Sequence, residues 1–314
     1  MVIIMKITSS NCIFTFKPSY SISYSNEFFC CVGKTVNLYD TKTGEFYAAF
    51  SEIKHPNWSK FTTDNRLIIK AASGHYFVYD VSKKTLMKRI LPPKGIHGSI
   101  TDFFITPDNR LIIDFAYFFP NHQLMIVDIE SGAKHLYPIG DASFCQVLFN
   151  NCSSEIYIIT FSCPKSNEIT GPIDCYTIQY PFRTIKLRKE SIIYRDLSHI
   201  CFSCGNFYIS GFNDKISVVN AHTKKDSFVR YEKNGPVTYL NCSKSGEYIV
   251  VVESNVINVI AVGSNNCFQS FEVEHGCFAD FYDHDSKLLI GTWERGYCVD
   301  LGIIKSQAHT GLFL

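Results

Sequence analysis

Several side chains in this chain could do chemistry if the fold brought them together. Cys201 and Cys204 form a Cys-x-x-Cys pair in "HICFSCGN". Such a pair holds zinc only when two further ligands are supplied, and no second pair exists. It serves redox exchange when a helix N-terminus lowers a thiol pKa. The residues around it read as a strand and its turn, so buried, inert thiols are expected. Five histidines, His55, His75, His97, His122 and His275, fall before or between strand-like runs and would gather near one rim. They belong to different segments, whereas a metal needs tight ligand geometry, so no metal site and no cofactor is expected. "GTWERGY", Gly291 to Tyr297, sets Trp293 beside Glu294 and Arg295. A tryptophan flanked by both charges suits an interface rim or a ligand contact. The plainer reading is a polar hairpin turn whose Trp packs on its own sheet. No nucleophile elbow, phosphate loop or His-Glu-x-x-His string occurs.

Composition bounds the rest. Of 314 residues 46% are hydrophobic and 19% charged, which describes a globular chain with enough apolar surface for a large core. Phe and Tyr are abundant, as in strands. The net charge of +1, without a basic or acidic run, argues against a general nucleic-acid or membrane surface. No apolar run approaches the roughly 20 residues of a spanning helix. The opening "MVIIMKITSS" lacks the parts of a secretory signal, and the 13 cysteines are odd in number and irregular in spacing. A cytoplasmic protein with free thiols is the expectation.

The elements that must position these groups are measured by a repeated string. "DNRLII" occurs at Asp64–Ile69 and again at Asp108–Ile113, 44 residues later. Each copy sits in a frame of strand-like run, polar turn, second apolar run, gap, and third run ending in Asp. The frame recurs with less identity, and the third runs end near positions 40, 80, 128, 180, 220, 261 and 300. A turn such as "DTKTGEF" or "DIESGAK" and a fourth run follow. Seven units of four strands at a period of roughly 40–45 predict a seven-bladed β-propeller of antiparallel blades, all-β, as one domain over residues 1–314. Ring closure is expected from pairing of the chain's two ends, with Cys12–Lys17 lying beside Tyr297–Leu301 in the last blade. Val2–Ile7 is a candidate for one further strand, and 302–314 is a competitor for the closing role.

The frame resembles the WD40-type repeat. It has a Pro-Asp turn at Thr106–Asn109, third runs ending "YD" or "VD", and a His before the first run in three units, His55, His97 and His275. It has no Trp-Asp dipeptide. The resemblance implies the propeller, and it implies that these histidines serve an internal hydrogen-bond network.

Units three and four exceed 40 residues by 8 and 12, and the excess is read as loops between second and third strands at 114–122 and 161–174. Both would rise from one face. Loops on a rigid scaffold carry binding, so Tyr117, Phe118, Phe119 and His122, with Trp58, Trp293 and Arg295, are the candidate partner-binding residues. The expectation is a non-catalytic platform for a protein or peptide partner. The alternative is a propeller enzyme, a hydrolase or lyase, with a site at the central channel, either metal-dependent or metal-free. Converging acids at the channel would favour the enzyme, and an exposed aromatic patch would favour the platform.

Overall fold

The computed structural model describes residues 4–8, 11–95, 101–118, 121–139, 144–151, 153–161, 173–181, 188–191, 198–211, 215–231, 234–263 and 266–302. Among them there is no helix, and none long and apolar enough to cross a membrane. Two short strands come first, β1 (Ile4–Lys6) and β2 (Cys12–Phe16). Blade 1 is β3 (Ser21–Tyr24), β4 (Phe28–Val32), β5 (Val36–Asp40) and β6 (Phe46–Phe50). Blade 2 is β7 (Pro56–Phe61), β8 (Arg66–Ala71), β9 (Tyr76–Asp80) and β10 (Thr85–Ile90). Blade 3 is β11 (Phe104–Ile105), β12 (Leu111–Phe118), β13 (Asn121–Asp128) and β14 (Lys134–Pro138). Blade 4 is β15 (Phe144–Asn150), β16 (Glu155–Phe161), β17 (Ile173–Gln179) and β18 (Arg188–Ser191). Blade 5 is β19 (His199–Ser203), β20 (Asn206–Ser210), β21 (Lys215–Asn220) and β22 (Asp226–Arg230). Blade 6 is β23 (Val237–Cys242), β24 (Tyr248–Glu253), β25 (Val256–Ala261) and β26 (Asn266–Glu272). Blade 7 is β27 (Gly276–Tyr282), β28 (Lys287–Thr292) and β29 (Gly296–Asp300), completed by β2.

Closure follows the expected pairing of β2 with β29. Cys12 lies opposite Val299, Thr15 opposite Tyr297 and Phe16 opposite Gly296. β1 adds in parallel to β26, Ile4 opposite Ser270, so blade 6 has five strands. Apolar side chains meet between blades, which is why the second and third strands read as unbroken apolar runs. Each of the seven interfaces has its own buried cluster. Between blades 1 and 2 it includes Cys30, Leu38, Leu67 and Ile69; between blades 7 and 1 it includes Phe16, Phe29, Tyr39, Phe278 and Leu289. Innermost strands of successive blades pack on one another around the axis, β3 on β7, β19 on β23 and β23 on β27.

The unit-three excess makes no long loop. Residues 114–118 continue β12 and pair with β13 up to Phe118 opposite Asn121, so the extra length is a taller hairpin. "DFAYFF" is rich in strand-forming aromatics, and Phe115 and Ala116 are buried between blades, which favours continued pairing. In unit four, Phe161, Ile173 and Asp174 are in strands, and 162–172 lies outside the described residues.

The repeated string has two structural duties. Asn65 and Asn109 occupy the left-handed region, φ 65° and 59°, at the turn between first and second strands. Their amides then reach the preceding blade. Asn65 donates to Glu27 Oε2 at 3.1 Å, and Asn109 accepts from Thr63 N–H at 2.9 Å while donating to Thr63 Oγ1. Asp285 does the same between blades 7 and 6, accepting from the N–H groups of Lys244 and Ser245. Asn109→Ala combines left-handed strain with two lost hydrogen bonds and is expected to cost about 2 kcal/mol in urea unfolding. Asn109→Gly keeps the backbone at ease and should cost about half as much.

The residue after each copy diverges, to Lys70 and Asp114, and these two meet. Lys70 Nζ lies 2.8 Å and 2.6 Å from the two carboxylate oxygens of Asp114, with both side chains buried. Lys70 also donates to Thr101 O at 2.8 Å, Tyr76 O–H donates to Asp114, and Phe115 N–H donates to Asp114 at 2.7 Å.

Candidate functional site

Two places gather side chains beyond the needs of packing. The first is the turn between β28 and β29, where Gly291 and Gly296 pair across the base of the hairpin. A Cβ on Gly291 would stand 2.1 Å from the Phe278 ring, and one on Gly296 would stand 1.9 Å from the Phe16 ring. Glycine is therefore required at both positions, and the two rings clamp the hairpin from its two sides. The turn is tied to itself. Thr292 N–H donates to Arg295 O at 3.1 Å and Thr292 Oγ1 donates to the same oxygen at 2.7 Å. Thr292 Oγ1 in turn accepts from the N–H groups of Glu294 and Arg295, at 3.3 and 3.2 Å.

That frame carries Trp293, whose side chain is 71% exposed. The indole is nonetheless fixed. It stacks on His275 with centroids 4.6 Å apart and planes at 19°. The neighbouring Cys277 thiol, raised by burial, donates to His275 O at 3.5 Å. His275 itself sits at φ 54° immediately before β27. Trp293 thus does not pack down on its sheet, and Arg295 beside it is exposed as well.

Other expected site residues are placed differently. Trp58 is half-buried against the cluster between blades 2 and 3, beside Ile68, Tyr76 and Ile112. Tyr117 pairs with His122 and Phe118 with Asn121 at the tip of the blade 3 hairpin, while Phe119 lies outside the described residues. Of the rim histidines, His75 Nδ1 is 2.7 Å from Ser73 Oγ, His55 is left-handed at φ 51° and exposed, and His97 lies outside the described residues. The Cys-x-x-Cys pair is split. Cys201 is buried in β19, but Cys204 is exposed in a left-handed turn, its Sγ 3.1 Å from Ser245 O. The Cys204 thiol is also 3.4 Å from Lys244 O, in the turn of the next blade, whereas the Cys201 thiol is raised by burial. Among the described residues no three of His, Cys, Asp and Glu are grouped to hold a metal ion.

The second place is the inner wall of the ring. Lys60 of β7 pairs with Asp102, just before β11, at 2.6 Å. Asp280 of β27 is buried and accepts from Tyr239 O–H at 2.7 Å and from the Asn241 amide. Burial raises the Asp280 carboxyl; its two donors and Lys60 pull it back, and Asp102 adds to the rise. Four blades therefore contribute to one electrostatic group that no local motif announces. A carboxyl raised in the folded state binds its proton more tightly there than in the unfolded chain. Its contribution to stability falls as pH climbs from the ordinary value of 3.8 through the raised one. Asp280→Asn keeps an acceptor for both donors and removes this titration. Its stability relative to the unaltered protein should rise across that window and then level off, read from urea midpoints between about pH 4 and 8. A relative stability that falls with rising pH would contradict the assignment.

Compared with models of known protein families the chain matches none, and no curated protein matches it in sequence.

Proposed function

We propose that the protein is a non-catalytic interaction platform that binds a protein partner through the face carrying the β28–β29 turn. One observation carries the reading: a tryptophan left 71% exposed on a turn that is hydrogen-bonded to itself and clamped by two buried rings. Exposed large aromatics cost solubility, and a rigid one loses little entropy on binding, which is the usual profile of a binding hot spot. Side-chain order in the free protein is already provided by the stack on His275. The WD40-like frame supports the same reading, since propellers of that kind commonly serve as binding surfaces.

The channel supports an enzyme less well. Its carboxylates are engaged within the protein, Asp102 by Lys60 and Asp280 by Tyr239 and Asn241, so they form a completed network. Trp293→Ala provides the test. Because the side chain is exposed, its loss should change stability by less than about 1 kcal/mol. Affinity for a partner recovered with the unaltered protein from its native cell should drop at least about tenfold, as for a hot-spot residue. Unchanged affinity for every recovered partner would refute the platform centred on this turn.

A further inference from the structure

The Trp293 turn divides two grooves of opposite character. On the blade 1 side a groove of about 600 Å³ is lined by Lys17, Tyr39, Phe46, Glu294 and Arg295. Phe16 and Tyr39 form its buried floor, and Phe46 is 55% exposed along its wall. Lys17 Nζ lies 5.6 Å from the Phe46 ring centroid and 3.5 Å from Asn37 Oδ1. Among the described residues neither Lys17 nor Arg295 has a carboxylate within ion-pair distance. Two cations without a close ion-pair partner, against the single carboxylate of Glu294 and beside an exposed ring, form a receptor for an acidic group next to an apolar one.

On the blade 6 side a groove of about 250 Å³ is lined by Lys6, Glu272, Glu274, Glu294 and Tyr297. Three carboxylates face one lysine there, and that lysine meets Glu272 only at 3.9 Å across exposed side chains. Glu294 borders both grooves, which places them on opposite sides of the same turn.

We infer that the partner of this face is an extended peptide segment of ordered charge that straddles the Trp293 turn. Its acidic and aromatic or aliphatic residues occupy the Lys17–Arg295 groove, and its basic residues occupy the Glu272–Glu274 groove. The inference rests on the platform reading and adds the chemistry and the direction of the ligand. The opposed charges fix which way the segment lies, because the reversed orientation sets like charges against each other in both grooves.

The test is a selection of random dodecapeptides on the intact protein, with Lys17→Glu/Arg295→Glu, Glu272→Lys/Glu274→Lys and Trp293→Ala proteins as comparison targets. All substituted side chains are solvent-facing, and circular dichroism checks that each variant is folded. The expected result is enrichment of peptides with acidic and basic residues on opposite sides of an aromatic or leucine. Their affinity should fall at least about tenfold on either charge-reversed protein. Peptides without charge order, or binding within about twofold on both charge-reversed proteins, would overturn the inference. If nothing is enriched the inference fails, and the platform reading is decided separately by the affinity of the Trp293→Ala protein for recovered partners; peptides that still need Trp293 leave that reading standing. Concentration-dependent self-association lost in the same variants would name a second copy of the chain as the occupant, and would also overturn the inference.

Discussion

Replacing Lys70 by Met is expected to lower the unfolding free energy by about 3–5 kcal/mol. The cost arises from what is left behind. Asp114 is fully buried, and among the described residues Lys70 is its only cationic partner, meeting both oxygens of the carboxylate. Methionine fills the space of the lysine stem but supplies no charge, so the carboxylate must either stay ionised in a poor solvent or take up a proton. Tyr76 and the Phe115 amide still donate to it and soften the loss without removing it. The double variant Lys70→Met/Asp114→Asn leaves no buried charge and should recover more than half of the deficit. Urea unfolding of the single and double variants decides the matter, and a single variant within about 1 kcal/mol of the parent would show that the pair contributes little.

A chain beginning at Pro18 is expected not to fold into a stable monomer. It lacks β2, so β29 becomes an open edge and blade 7 has three strands. It also lacks Phe16, which is buried against Phe29 and Tyr39 in the cluster that joins blade 7 to blade 1. Losing one such ring alone costs about 3–5 kcal/mol. The backbone pairing of Cys12–Phe16 and the contact of Phe14 with Phe29 at 5.6 Å are lost with it. The expected readout is aggregation or a melting transition lowered by more than about 10 °C. Supplying residues 1–17 as a separate peptide should restore part of the transition in a concentration-dependent way. A truncated chain with the parent's melting behaviour would mean that the ring does not depend on this closure.

Much of the ring could be read before its structure was known, because a propeller writes its period directly into the chain. The two "DNRLII" strings mark equivalent turns in blades 2 and 3, and third strands end at Asp40, Asp80, Asp128, Asn220, Ala261 and Asp300 where the frame put them. The fourth ends at Gln179, one residue early, ahead of the cis Tyr180-Pro181 bond. The blade 3 excess misled because length alone does not distinguish a loop from a longer hairpin. The aromatic run at 115–118 and its strand propensity were the available signal. The buried ion pair also left a trace. Lys70 and Asp114 are the first residues to differ after the two copies, and opposite charges at equivalent positions of neighbouring blades are a sign of contact.

The candidate site was legible only as a list of residue types. "GTWERGY" named Trp293 and Arg295, but the clamping of their turn depends on rings outside it, Phe16 and Phe278, that need glycine at 296 and 291. The channel group had no local signature, since Lys60, Asp102, Tyr239 and Asp280 come from four blades.

The most direct measurement uses the fact that the chain has two tryptophans. Trp58→Phe removes the half-buried one and leaves Trp293 as the sole indole reporter. In the free protein its emission should be red-shifted and readily quenched by iodide, as for an exposed side chain. Adding a partner recovered from the native cell should shift the emission to the blue and protect it from iodide, and Trp293 should enter the contact as the account requires. An emission spectrum and quenching unchanged at saturating partner would contradict it.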